Sequence, residues 1–476
     1  MKLRKMILCL LLAAALLLGC GAVAFADPYP FNLLVLVGDE SGAVRAAWNE
    51  YAENYFLSLS DLSTLLRGTP AAFTLERRYT DVDGEFFAVT TGRDSEALNG
   101  AGPASDGRWA SSLYLSRNRI FVDGAERRYY TCKNGSDLYM SLTDIQLMLD
   151  IPAEFTEEGL RFFPEERFRP DVPALAEAGY FGSFSAVLLA DAETGSVLYS
   201  HNEDSVVPIA SVTKLMTYLL LAEGAGRGQI SFDDAVVISA NAAALSQGAD
   251  AMVTLAQGRA YPFRELLSAM LLASSNECAL ALAEHLDGSE ELFVEHMNLK
   301  ARELGLSSAC FYNPHGLPLY LPGAVTNKAQ NLMSARDLFT LCQILLRDYP
   351  EITDITRQQF GSMPSLRYIT ANSNALVFNM EGCSGLKTGS TNKAGSCLVA
   401  TLPVTVDGET HTAVAIVLGA EGPDNRNQAA EILLRYARDT WEEQGFLPSE
   451  ITVEQEPELE LELPQFHFSF PWRKGG

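Results

Sequence analysis

Ser211-Val212-Thr213-Lys214 sets a hydroxyl and an amine three residues apart, after Pro208 and before the apolar run Leu215 to Leu220. The run contains no Gly or Pro, so the spacing predicts Ser211 in the first turn of a buried helix. Residues at i and i+3 share a helix face, which brings Lys214 beside Ser211. A lysine desolvated there loses its proton near neutral pH and becomes a base. Its nearest partner would be a serine, the arrangement of an activated nucleophile. The helix N-terminus favours negative charge developing beside it. Alone the pattern is weak, because Ser-x-x-Lys also begins at Ser384 and Ser390. Those two lie in Gly-rich strand and turn sequence, where i and i+3 groups do not have to meet.

Two further triplets follow in order. Ser274-Ser275-Asn276 reads as a loop between helices, and Lys387-Thr388-Gly389 as a strand end. Other chemistries lack their signatures: there is no His-Glu-x-x-His, phosphate-binding loop or dinucleotide fingerprint, and no Gly-x-Ser-x-Gly elbow. The histidines do not pair at metal spacing, so neither a metal nor an organic cofactor is expected. His315, in Asn313-Pro314-His315-Gly316, reads as a structural turn residue.

The ordered set Ser-x-x-Lys, Ser-x-Asn, Lys-Thr-Gly is that of penicillin-binding proteins and class A β-lactamases. Flanking blocks narrow the resemblance. They are Ala190 to Tyr199, Asn276-Glu277-Cys278-Ala279 with Ala283-Glu284-His285, Pro314-His315-Gly316-Leu317, Ser334-Ala335-Arg336-Asp337-Leu338 and Gly385 to Gly389. Together they resemble the low-molecular-mass serine D-Ala-D-Ala carboxypeptidases, peptidase family S11, over about residues 180–445. The Glu-x-x-Leu-Asn of a class A β-lactamase is absent between the second and third triplets, which disfavours fast hydrolysis of an acyl-enzyme.

The resemblance implies a function and a set of roles. The substrate would be a peptidoglycan stem peptide ending in D-Ala-D-Ala, and β-lactams would trap the nucleophile. Ser211 would attack, with Lys214 as base. Ser274 would relay a proton to the leaving D-Ala, and Asn276 would hold Lys214 and the substrate amide. Lys387 would lower the pKa of Lys214 and, with Thr388, bind the substrate carboxylate. Gly389 and Ser390 complete that strand, and the backbone N–H groups of Ser211 and Ser390 would form an oxyanion hole. A D,D-endopeptidase acting on cross-links, and a non-catalytic wall-binding or penicillin-sensing protein, are the alternatives. Ser390 stands where relatives often carry a bulkier residue, and the stretch from Leu317 to Asn331 is longer than the resemblance leads one to expect.

The elements that must position these groups are legible in outline. Ser185 to Leu189, a turn at Ala192-Glu193-Thr194-Gly195 and Ser196 to Ser200 read as a β-hairpin. Helical patterns run from Ser211 to about Leu346. Strands return at Gly385 to Lys387, Ser396 to Leu402 and His411 to Leu418, and Asn427 to Glu443 closes as a helix. The class is α/β. For residues 175–445 the resemblance implies a β-lactamase/DD-peptidase-like fold, an antiparallel sheet flanked by helices with a helical subdomain. Pro164 to Pro173 carries three prolines and reads as a linker. Before it, residues 27–170 hold an internal repeat: Leu57-Ser58-Leu59-Ser60-Asp61-Leu62 recurs as Met140-Ser141-Leu142-Thr143-Asp144-Ile145. Each copy reads as a strand entering a helix through Ser/Thr-Asp, which suits an N-cap. The pattern resembles the small repeated domain named after the N-terminus of copper amine oxidases. That implies an α+β spacer or wall-contacting module without copper chemistry. Ser95 to Gly107 reads as a loop, and residues 446–476 as an acidic, then aromatic, disordered tail.

Composition sets the compartment and excludes one class. The chain of 476 residues carries a formal charge of −25, so it lacks the basic footprint of a nucleic-acid binder. Lys2, Arg4 and Lys5 precede an uncharged run from Met6 to Ala26 that ends in Ala24-Phe25-Ala26. This reads as an export signal over residues 1–26, giving an extracytoplasmic protein. An uncleaved anchor, or lipidation of Cys20 in Leu17-Leu18-Gly19-Cys20, would instead attach the chain to a membrane. Beyond residue 26 the cysteines are Cys132, Cys278, Cys310, Cys342, Cys383 and Cys397. Their spacing matches neither a disulfide framework nor a zinc site. Cys342 lies in an apolar helical run and reads as core.

Overall fold

The structure is a computed structural model. It describes residues 29–49, 54–80, 84–93, 116–117, 119–134, 137–320 and 328–446. The expected export signal, the loop over 95–107, the centre of the stretch between Leu317 and Asn331, and the tail beyond residue 446 lie outside the described residues. Among the described residues no helix is long and apolar enough to cross a membrane.

A five-stranded antiparallel sheet organises the second half of the chain. Its order is Val197–His201, Ala186–Asp191, Glu409–Ala420, Gly395–Val406 and Gly385–Thr391. Side chains alternate between its faces, and both faces are covered. Leu188, Ala190, Val399, Val414 and Ile416 join one core with the helical region. Val187, Leu189, Leu398, Ala400 and Ala415 join the other. This is why Ala186–Asp191 is buried at every position, with Ala186 to Ala190 a continuous apolar run. The closing helix Pro423–Gln444 covers the second face with Ala430, Leu433, Leu434, Ala437 and Trp441. It starts four residues before the expected Asn427, because Pro423 at its first turn lacks an N–H that would have gone unpaired there.

On the other face the helix Lys214–Gly226 runs through the core, with ten of its thirteen residues buried. Helices Phe263–Leu272, Asn276–Asp287, Glu290–Glu303 and Ala335–Asp348 surround it. The helical stretch expected from Ser211 to Leu346 is interrupted by the strand pair Ala235–Val237 and Ala260–Pro262, and by the irregular chain around Asn313. The proline-rich linker also ends early. Asp171 caps a short helix, Val172–Glu177, in which Pro173 occupies the first turn.

Residues 29–162 contain a separate core built on an eight-stranded sheet and a four-stranded one. The two repeat copies sit side by side: Asn54–Ser58 enters the helix Leu59–Leu65, and Asp137–Ser141 enters Leu142–Leu149. The two strands pair antiparallel, with Met140 opposite Leu57. The caps are Ser58 and Ser141, two residues earlier than the Ser/Thr-Asp pairs suggested. Each closes its strand in an extended conformation and accepts from the N–H of Asp61 or Asp144.

The second cap also joins the two halves of the molecule. Ser141 Oγ accepts from Gln428 Nε2 of the closing helix at 3.0 Å. Arg435 of that helix reaches Asp150 at 2.7 Å and the Leu147 carbonyl at 2.8 Å. Ser141→Ala removes the cap and strands a buried Gln428 donor. It is expected to lower stability by about 1–2 kcal/mol in urea unfolding; an unchanged midpoint and slope would contradict this role.

Candidate active site

The chain approaches Ser211 through a strained turn. Ala210 has φ +47°, a left-handed conformation that costs energy for any residue with a Cβ. Residues Ala210–Thr213 then form a 3-10 turn, and the α-helix begins only at Lys214. The expected α-helical first turn is thus a tighter one. Thr213 Oγ1 donates to the Ala210 carbonyl at 2.7 Å, and Asn331 Nδ2 donates to Thr213 Oγ1 at 3.0 Å. In a 3-10 turn residues i and i+3 eclipse, which places Lys214 directly over Ser211.

Lys214 is fully buried. Its Nζ lies 2.8 Å from Ser211 Oγ, 2.9 Å from Asn276 Oδ1 and 2.7 Å from the His315 carbonyl. Asn276 Nδ2 faces the Asp250 carbonyl at 3.4 Å, so the amide turns its oxygen to the lysine. A neutral amine has two protons and one lone pair. With Asn276 Oδ1 and the His315 carbonyl as acceptors for the protons, the lone pair is left for the Ser211 hydroxyl, which also has the His315 carbonyl as an acceptor at 3.3 Å. Burial favours that neutral form and holds the Lys214 pKa well below the ordinary lysine range; the positive charge of Lys387 lowers it further, while the Glu277 carboxylate opposes the shift.

Lys387 is also buried, and its Nζ donates to the Thr388 carbonyl at 2.9 Å. Burial, with Arg426 as a second cause, brings its pKa down to about 7. Thr388 Oγ1 lies 2.7 Å from Ser373 Oγ. Gly389 is the contact point between this strand and the Ser211 turn. A Cβ there would lie 2.8 Å from the Ser211 nitrogen and 3.0 Å from the Val212 nitrogen. Ser390 is exposed at the strand end, its hydroxyl donating to the Gly389 carbonyl at 2.7 Å.

Ser275 caps the helix Asn276–Asp287 by accepting from the Cys278 N–H at 3.1 Å. Ser274 just before it takes φ +63° and is half-buried. Its hydroxyl hydrogen-bonds neither Lys214 nor Ser211. The structure therefore brings Ser211, Lys214 and Asn276 into direct contact, sets Lys387, Thr388 and Gly389 on the adjoining strand, and leaves Ser274 unlinked at the turn.

Several contributors escaped the sequence reading. His315 acts through its carbonyl, while its buried ring accepts from the Leu317 N–H at 3.1 Å. Burial and the nearby Lys214 hold that ring neutral, with a pKa down to about 3. Gly316 cannot carry a side chain, since a Cβ would sit 2.0 Å from the Ala210 carbonyl oxygen. Asn313 and Asn331 hold this turn: Asn313 Oδ1 accepts from the Gly316 N–H at 2.6 Å, and Asn331 Nδ2 donates to the Asn313 carbonyl at 2.9 Å. The Asn-Pro-His-Gly sequence signalled a turn; nothing in it signalled what the turn touches. Among the described residues, Asp191, Glu193 and His411 are close enough together to suggest a metal. Their groups are already engaged: Asp191 Oδ1 accepts from the Glu193 N–H, Asp191 Oδ2 faces His411 Nδ1, and Glu193 accepts from Thr412. They read as the lock of the hairpin.

Residues 178–422 match the D-alanyl-D-alanine carboxypeptidase family, peptidase S11. The D-alanyl-D-alanine carboxypeptidase DacF of Bacillus subtilis is 32% identical over 286 residues, covering 60% of this chain and 69% of that protein. A D-alanyl-D-alanine endopeptidase of Escherichia coli is 30% identical over 265 residues, covering 55% of this chain and 77% of that one. Among solved structures, penicillin-binding protein D2 of Listeria monocytogenes, in its ampicillin-bound form, is 30% identical with a TM-score of 0.44. The match covers 53% of this chain and 96% of that one. The family match spans more than half of the chain, including all three triplets, and this protein belongs to the D-alanyl-D-alanine carboxypeptidase family of serine hydrolases.

Proposed function

We propose that the protein removes the terminal D-Ala from peptidoglycan stem peptides through an acyl-enzyme on Ser211. The contact that carries this reading is that of Lys214 Nζ with Ser211 Oγ, with two neutral acceptors taking the other amine positions. Ser211 Oγ attacks the carbonyl carbon between the two D-alanines, and its proton passes to Lys214 Nζ. The N–H groups of Ser211 and Ser390 receive the developing oxyanion, a contribution of ~3–4 kcal/mol per donor in other enzymes. The C–N bond breaks as Ser274 passes its proton to the leaving amine and takes up the one Lys214 carries, so that D-Ala departs and Lys214 is a free base again. Water then attacks the ester, Lys214 taking its proton and handing it to Ser211 Oγ as the ester C–O bond breaks, and the shortened peptide leaves with serine and free amine restored. Lys387 and Thr388 bind the substrate's terminal carboxylate, and Asn276 orients both Lys214 and the substrate amide.

A β-lactam would acylate the same serine, as the ampicillin-bound form of the Listeria protein suggests by analogy. The ester would persist, since the chain lacks the Glu-x-x-Leu-Asn that would speed its hydrolysis. The endopeptidase reading is favoured by the Escherichia coli relative's name. It uses the same steps, with the leaving amine belonging to a second stem peptide. Either reaction places the protein outside the cytoplasm, in keeping with an export signal removed after Ala26. The repeated N-terminal region would serve as a spacer or wall contact.

Two experiments test this function. Release of D-Ala from diacetyl-Lys-D-Ala-D-Ala is expected from the unmutated chain. Lys214→Ala should lower kcat/KM by about 10²- to 10⁴-fold, and Ser211→Ala should abolish both release and the penicillin adduct seen by mass spectrometry. Cleavage of a cross-linked dimer without D-Ala release would favour the endopeptidase; an adduct-free, inactive folded protein would refute both readings. The second experiment is a pH profile of kcat/KM, which reports groups of the free enzyme. Activity should rise with pH as Lys214 loses its proton, because the protonated amine cannot accept one. It should fall as Lys387 loses its proton near about 7, because neutral Lys387 cannot pair with the carboxylate. Lys387→Arg stays charged and is expected to remove the falling limb. A falling limb unchanged in that variant would contradict the assignment.

A further inference from the structure

The wall behind Thr388 is built from two distant parts of the chain. Ser373, 2.7 Å from Thr388 Oγ1, belongs to a segment tied at several points. Its own N–H donates to the Leu272 carbonyl at 3.0 Å, and Asn374 Nδ2 donates to the Gly385 carbonyl at 3.2 Å. The segment continues into the short helix Leu376–Asn379, and there the N-terminal region grips it. The Arg128 N–H donates to Asn379 Oδ1 at 2.7 Å, and Asn379 Nδ2 donates back to the Arg128 carbonyl at 2.9 Å. Arg127 donates to the Phe378 carbonyl. The Arg128 guanidinium lies 4.0 Å from the centre of the Phe378 ring, a cation–π contact. Arg128 and Tyr129 also line a narrow cavity whose opposite wall includes Asn372 and Ser373.

We propose that the N-terminal region is a working part of the substrate-binding wall: the Arg128–Asn379 clasp sets the position of Ser373, and Ser373 orients the Thr388 hydroxyl. Ser373 is thus a positioning residue, acting through Thr388. The inference rests on the reading of Thr388 as a ligand for the substrate carboxylate. One hydroxyl can donate to only one acceptor at a time. With the Ser373 hydroxyl donating to Thr388 Oγ1, the Thr388 proton is free for the incoming carboxylate.

The test uses the full chain and diacetyl-Lys-D-Ala-D-Ala. Loss of one such hydrogen bond is expected to raise KM roughly two- to tenfold, with kcat within about twofold. Ser373→Ala should show that change, and Ser373→Thr, which keeps a hydroxyl, should reverse most of it. Asn379→Ala should raise KM in the same direction. Should that variant fold poorly, Asn379→Asp keeps the acceptor for the Arg128 N–H but turns a charged oxygen toward the Arg128 carbonyl, and it should raise KM likewise. The double variant should be no worse than Ser373→Ala alone, since coupled residues are non-additive. An unchanged KM in Ser373→Ala or in the Asn379 variant, or fold-changes that simply multiply in the double variant, would overturn the inference and leave the proposed function standing. Absence of both turnover and penicillin adduct in the unmutated chain would overturn the two together.

Discussion

A lysine amine held inside a protein with no carboxylate hydrogen-bonded to it is the constraint on which this site depends. Burying an unpaired ammonium costs far more than burying a neutral amine, so the protein's interior selects the free base. The three groups around Lys214 Nζ are a hydroxyl, an amide oxygen and a backbone carbonyl, all uncharged. Lys387 on the neighbouring strand adds a positive charge that works in the same direction. Position alone therefore favours the free amine at Lys214, and the histidine in the contact, His315, supplies only its carbonyl.

The rest of the fold keeps those three groups in place. Each comes from a different element: the 3-10 turn, the start of the helix Asn276–Asp287, and the turn at Asn313-Pro314-His315-Gly316. Close backbone approach is what lets them converge. Gly316 presses on the Ala210 carbonyl and Gly389 on the Ser211 nitrogen, and neither contact leaves room for a Cβ. Strain at Ala210 and Ser274 is sustained by the packed core on both sides of them. The sheet contributes rigidity by having both faces buried, one under the helical region and one under the closing helix.

Much of this was legible in the residues. Ser211 and Lys214 could be paired because an i,i+3 spacing in an apolar run has one common structural outcome. The strands could be found because their apolar residues run continuously or alternate. Their limits are harder to read: the Thr-Gly-Ser after Lys387 marks a strand end in the sequence, yet pairing with Gly395–Val406 carries the strand on to Thr391. The 3-10 turn was hidden because its support includes Asn331, far along the chain. His315 reads as a turn residue, and its ring behaves as one. The group that meets Lys214 is its carbonyl, which every residue type possesses. Ser373 and the Arg128–Asn379 clasp are long-range contacts that no local pattern announces.

The protonation state of Lys214 is the claim on which the mechanism stands. Chain labelled with ¹³C at lysine Cε allows each amine to be titrated by NMR, with Lys214→Met identifying the resonance. The account predicts that the Lys214 signal titrates well below the ordinary lysine value of ~10.4, and that it moves upward when Lys387 is replaced by Met. A Lys214 signal titrating in the ordinary lysine range would show the amine to be charged at neutral pH and would contradict its role as the base.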